Sequence, residues 1–284
     1  MHGRPIDPDL LRAGRTGLFL GLWVTALGLV CYVVLGGPQF GLDSHAYWLA
    51  LHKEHPYGAE PHAADAYLYS PLFLQIFRPL GILPWPTFVA VWATIQIVTV
   101  WWLLRPLSLA WRIPLMLLCV PEFILGNVHA LMALSLVLGF SRPGWWAVLP
   151  LTKVEPGGPL ALWLAAAGQW RRLASWALWT GALTAVSVLT APALWAEWFA
   201  FLIRPHDIDQ ALWVRLAVSL ILVVVAARRR WIWALPIAVL LSIPTDGLGI
   251  SGVVLMTATP RLIRHADRRT DGWAGGATRA DAYA

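Results

Sequence analysis

Apolar runs follow one another along almost the whole chain, each closed by arginine, proline or tryptophan rather than by a polar stretch of domain size. That pattern decides the solvent. A soluble chain carries roughly a quarter charged residues, whereas this one, at 284 residues, has 13% charged and 58% hydrophobic. So little charge cannot coat a globule in water, and lipid asks for no coat. Inside hydrocarbon every backbone N–H and C=O must be paired internally, which leaves helices and closed barrels. The runs are too long and continuous for barrel strands of about ten alternating residues. The expected fold class is therefore all-α, a polytopic transmembrane bundle of about ten helices.

The runs predict spans at residues 17–35, 86–104, 107–121, 123–140, 145–152, 159–169, 173–190, 212–226, 231–243 and 247–259. Several are short for a core of about 30 Å and imply tilts or half-helices. The first run is long for a signal-peptide core and no small-residue cleavage site follows it, so an uncleaved first helix is the expectation. Threading the spans from a cytoplasmic N-terminus puts all but five of the 21 basic residues inside; Lys53, Arg78, Lys153, Arg204 and Arg215 fall outside. That asymmetry is the positive-inside pattern, and it predicts a plasma-membrane protein with both termini cytoplasmic. The net charge of +6 is spread over short inter-span turns, a topology signal and not a nucleic-acid stripe. Tryptophan pairs at segment ends (Trp101 with Trp102, Trp145 with Trp146) suit the headgroup level. Residues 1–260 read as one membrane domain with an external loop at about 36–84, and 261–284 as a disordered cytoplasmic tail.

Most acids fall on the outer side in this threading, among them Asp43, Glu122, Glu155, Glu197, Asp207, Asp209 and Asp246. Asp43 is a candidate general base near the membrane surface, where partial desolvation raises a carboxyl pKa; the competing reading is an Asp capping the helix that follows. The same loop holds His45, His52, His55 and His62, whose spacing matches no regular metal pattern. Prolines between Pro71 and Pro86 break the next stretch, which reads either as a re-entrant piece or as a bent lead-in to a helix. Gly126-Asn127-Val128-His129 interrupts an apolar run, and polar groups at such depth face a cavity or a partner. Lys153 breaks the positive-inside pattern just before Glu155-Pro156-Gly157-Gly158. A lipid phosphate would explain it, as would snorkelling or pairing with Glu155. Cys31 and Cys119 sit in apolar stretches and read as small buried hydrophobes.

Taken in order, several motifs resemble the polytopic family 87 glycosyltransferases, which have the GT-C architecture and include polyprenyl-phosphomannose-dependent mannosyltransferases. They are Asp43 after the first helix, Tyr67-Leu68-Tyr69-Ser70-Pro71-Leu72-Phe73, Arg78-Pro79-Leu80-Gly81, the Gly126-to-His129 step, Lys153-x-x-Pro156, and the Arg171-Arg172 turn. The resemblance covers roughly residues 17–172; Ser70 and His129 depart from its usual pattern. It implies transfer of a sugar, mannose first among them, from a polyprenyl-phosphate donor to a lipid or glycan acceptor on the extracytoplasmic face. Asp43 would be the base and Lys153 would hold the donor phosphate. His45, Tyr47, Tyr69, Asn127, His129 and Glu155 would complete the substrate site, with no metal or other cofactor. The competing functions are a transporter or flippase, and an inactive assembly partner of the same architecture.

Overall fold

A computed structural model describes residues 8–37, 40–60, 63, 65–204, 210–244 and 250–266. All regular structure among them is helical: α1 (Pro8–Leu35), α2 (Leu42–Ala50), α3 (Pro71–Phe77), α4 (Trp85–Leu103), α5 (Leu109–Leu118), α6 (Val120–Leu125) and α7 (His129–Gly139). There follow α8 (Val148–Thr152), α9 (Gly157–Ala166), α10 (Trp170–Thr190), α11 (Pro192–Leu202), α12 (Gln210–Arg229) and α13 (Leu235–Ser242). Residues 259–266 form a last helix, α14. Short 3-10 segments occupy Arg78–Ile82, Pro143–Ala147, Ile232–Ala234 and Ile250–Ala258.

Helices α1, α4, α10 and α12 are long and apolar enough to cross a bilayer alone. Only 6% of the best window of α1, and of α10, is buried within the protein. Leu18, Val24, Leu178 and Leu189 lie bare on their outer faces. Such surface is untenable in water and ordinary in lipid. Because lipid tails are as apolar as Leu, helices here are joined by close contact and by polar bonds, not by the hydrophobic effect. Gly139 lets the Trp146 ring lie on the α7 backbone, where a Cβ would sit 2.1 Å from it. Trp146 Nε1 then donates to Leu136 O at 3.2 Å, and Ser135 Oγ to Trp145 O at 2.8 Å. Between α12 and α13, Ser219 Oγ donates to Ala238 O at 2.7 Å.

The bundle has two chemically distinct ends. At a rise of about 1.5 Å per residue, α4 spans about 28 Å, close to the hydrocarbon thickness. Its Trp85 packs on His45, ring centroids 4.8 Å apart, while Arg261 stacks 3.3 Å over Trp102 at the other end. Arg112 donates to Arg105 O and Leu107 O, Arg264 to Pro106 O and Arg172 to Phe140 O, so these arginines gather at the Trp102 end. Asp43 belongs to the Trp85 end, and Lys153 lies beside Tyr69 there.

Several expected boundaries change. The spans expected at 107–121 and 123–140 become three helices, because Pro121 opens α6 and Gly126 closes it in the left-handed region (φ 77°). The span expected at 145–152 is a 3-10 turn followed by the five-residue α8. No element is expected between 190 and 212, yet Pro192 at the first helical position starts α11. The span expected at 247–259 is a 3-10 segment from Ile250, and helix α14 runs past position 261, where the tail is expected to begin. His62, His206, Asp207, Asp209, Asp246 and residues 267–284 lie outside the described residues.

Candidate active site

Two left-handed glycines build the site. Gly41 (φ 77°) precedes α2, and its N–H donates to Ile124 O of α6 at 2.6 Å. A Cβ there would fall 2.6 Å from the Trp85 ring, so only glycine admits this crossing. Gly126 (φ 77°) separates α6 from α7, and its carbonyl accepts from Trp92 Nε1 at 2.6 Å. Ser44 of α2 lies where a Gly126 Cβ would be, at 2.5 Å. The first turn of α2 is thereby pressed against the α6–α7 break. That contact brings Asp43 and Asn127 together across 84 positions of sequence.

A directional chain of hydrogen bonds runs through the contact. Tyr47 OH donates to Tyr69 OH at 2.8 Å, and Tyr69 OH to Asn127 Oδ1 at 3.1 Å. Asn127 Oδ1 also accepts from Val128 N at 2.7 Å, which fixes the amide's orientation. Asn127 Nδ2 donates to Asp43 Oδ2 at 2.7 Å. Asp43 makes no capping bond to α2, contrary to the helix-cap reading. Its Oδ1 has no hydrogen-bond donor among the described residues.

Lys153 follows α8 in extended conformation, and its backbone N–H is bonded to Leu149 O. A short hydrogen bond from Ser70 Oγ to Leu151 O ties this turn to the Tyr69 segment. The Lys153 ammonium stands 5.5 Å from the centre of the Tyr69 ring. It forms no ion pair among the described residues, although the fields of Asp43 and Glu155 both reach it. Burial lowers the Lys153 pKa from the ordinary lysine value, and the neighbouring carboxylates oppose that fall. Burial raises the Asp43 carboxyl; Lys153 opposes the rise and Glu122 adds to it. Among the described residues, a carboxylate with one oxygen lacking a donor thus lies within the field of a cation that has no ion-pair partner, and the Tyr69 ring stands beside that cation.

Not every candidate joins this cluster. His45 stands two residues beyond Asp43, on another face of α2, and its Nδ1 lies 2.7 Å from Asp65 Oδ1. His52 turns to Trp48 O and His55 to Glu197 Oε1, so the loop histidines separate. His129 is 1% exposed; its Nδ1 lies 3.2 Å from Glu122 Oε2, and its backbone N–H donates to Glu122 Oε1 at 3.1 Å. It is therefore buried and partnered by Glu122, although its charge would reach Asp43. Glu155 is exposed. Glu122 carries no signal in its spacing, yet it is fully buried and holds both ends of the His129 contact.

Below the cluster, an apolar groove of about 680 Å³ runs along α3, α7, α8 and α10. Leu72, Phe73, Leu151 and Thr152 line the end nearest Lys153, and Ser141 and Arg142 the other end.

The model of glycosyltransferase family 87 matches residues 67–279. This reaches well beyond Arg172, where the motif resemblance stops, and it begins after Asp43. No curated protein and no solved structure matches the chain.

Proposed function

The chain belongs to glycosyltransferase family 87, and from that premise we propose that this membrane glycosyltransferase moves mannose from a polyprenyl phosphate to a lipid or glycan hydroxyl. The single observation that carries the reading is the pairing of Asp43, held by Asn127, with an ammonium that lacks an ion-pair partner among the described residues. The acceptor hydroxyl would lie against Asp43 Oδ1. Its oxygen attacks the anomeric carbon, Asp43 takes the proton, and the bond from that carbon to the phosphate oxygen breaks. Polyprenyl phosphate leaves with the electron pair, and its developing charge meets Lys153. The product is inverted at the anomeric carbon.

The donor's apolar tail is accommodated by the groove that opens beside Thr152. Such a donor needs no nucleotide, and it is reached from within the bilayer. On this reading the Trp102 end faces the cytoplasm and the Asp43 end the cell envelope side of the plasma membrane, in line with the positive-inside pattern. This arrangement supports the GT-C architecture.

The reading is tested by reconstituting the full chain in proteoliposomes and supplying polyprenyl-phosphomannose with a radiolabelled sugar. Transfer to a lipid extract is measured for the wild type and for Lys153→Met at matched insertion. Transfer by the wild type that falls at least tenfold in the variant is the expected result. Transfer equally fast in both removes Lys153 from the donor site. Failure of the wild type with mannosyl, glucosyl and galactosyl donors alike refutes the polyprenyl-phosphate donor.

A further inference from the structure

At the end of the bundle opposite Asp43 lies a second cavity, of about 480 Å³, whose lining includes Trp102, Arg105, Leu138, Ser141, Arg261 and Arg264. Two of its arginines are partly explained by structure. Arg261 Nε and Nη2 donate to Trp102 O at 2.9 and 2.6 Å, and Arg264 Nη2 donates to Pro106 O at 2.8 Å. Trp102 O already accepts from Arg105 N at 3.2 Å, so the Arg261 bonds add to a partnered carbonyl, while the Arg264 bond serves Pro106 O in the turn after α4. They also pin both guanidinium groups in place.

That role uses only part of the donor set. Arg261 Nη1, Arg264 Nε and Nη1, and the whole Arg105 fork make no hydrogen bond to any described residue. Arg105 and Arg264 repel Arg261. No Asp or Glu is among the described residues lining the cavity. Three cations held together around a hollow with no carboxylate among the described residues call for an external polyatomic anion. Planar guanidinium forks match phosphate oxygens, with two parallel bonds available from each fork.

The surroundings favour a lipid over a free ion. Ser141 lines both this cavity and the apolar groove, so the polar hollow adjoins a surface suited to acyl chains. Basic pockets between transmembrane helices on one side of a bilayer are the recurring form of headgroup site. We propose that this cavity binds the phosphodiester headgroup of an anionic phospholipid in the leaflet opposite the active site.

Native mass spectrometry of the full chain in detergent tests the site. The probes are phosphatidylglycerol, zwitterionic phosphatidylcholine and inorganic phosphate. The variants are Arg105→Gln, the double variant Arg105→Gln/Arg264→Gln, and Arg228→Gln/Arg229→Gln as a control for charge at the same end outside the cavity. Retention of phosphatidylglycerol over phosphatidylcholine is expected, falling several-fold in the single variant and at least tenfold in the double variant, with the control unchanged. Because the Arg105 side chain bonds no described residue, its single variant separates lost binding from lost folding. Equal retention in all variants, or an equal loss in the control, overturns the site. Occupancy by inorganic phosphate that phosphatidylglycerol does not displace overturns the lipid assignment.

Discussion

Replacing Asp43 by Asn separates its proton-accepting role from its structural one. The amide is nearly isosteric, and its Oδ1 still accepts from Asn127 Nδ2, so the chain from Tyr47 through Tyr69 to Asn127 survives. What disappears is the basic oxygen and the negative charge near Lys153. A positioned general base contributes roughly 100- to 10,000-fold, which corresponds to about 3 to 5 kcal/mol of barrier at about 1.4 kcal/mol per tenfold. Because the amide replaces the carboxylate in the same bond network, the loss is expected in kcat, by about 1,000-fold, with donor KM within a few-fold of the wild type. The assay is initial-rate transfer of labelled mannose in proteoliposomes at equal insertion, with donor and acceptor varied separately. A kcat reduced less than tenfold would refute Asp43 as the base. A raised acceptor KM with kcat intact would make it a binding group instead.

The pH profile carries the same logic with a sign. A base acts deprotonated, and burial raises Asp43 above its ordinary value of 3.8, so kcat/KM should fall as pH drops through a point above that value. Lys153 acts protonated, and burial lowers it from 10.5, so the alkaline limb should lie below the usual lysine range; Lys153→Met should abolish that limb. Glu122→Gln replaces the carboxylate bonded to buried His129, and a buried hydrogen bond is worth roughly 1 to 3 kcal/mol; a fall in thermal unfolding temperature with little change in donor KM is expected. Gly126→Ala forces a side chain into the left-handed region at about 1 to 2 kcal/mol and against Ser44 besides, so loss of folded protein by size-exclusion profile is expected.

Membrane residence and the segregation of arginine were legible because each follows from local composition. The polar interruption at Gly126 and Asn127 was legible too, but not the helix break it makes, since the span was expected to run on from 123 to 140. The convergence of Asp43 with Asn127 and Lys153 could be suggested only by motif resemblance, since contacts across the bundle leave no mark on spacing. His45 shows the limit. It looks equivalent to Asp43 in sequence, yet two residues along a helix turn it to another face, towards Asp65. Glu122 reads as an ordinary carboxylate on the outer side, and only its burial against His129 reveals a structural acid. Helix α11 was not expected although Trp195, Trp198 and Phe199 recur at helical spacing; Pro192 at its first helical position opens it.

The unequal lengths of these helices bear on how the chain enters its membrane. The 25-residue apolar stretch of α1 is long enough to cross alone, and only 6% of its span window is buried within the protein, so it can leave the insertion machinery as soon as it is made. Helix α7 has 11 residues and begins at a histidine whose partner, Glu122, lies in the six-residue α6. Neither segment has a favourable place in hydrocarbon alone. Each must wait until α4 and the turn carrying Trp146 are present to receive it. In nascent chains truncated just after α7, α1 and α4 are therefore expected to be inserted while a single cysteine placed in α7 stays open to a membrane-impermeant thiol reagent, whereas chains carried past α10 shield it. The break that brings Asn127 to Asp43 thus also bears on the order of assembly, because it leaves the helices on either side too short to insert alone.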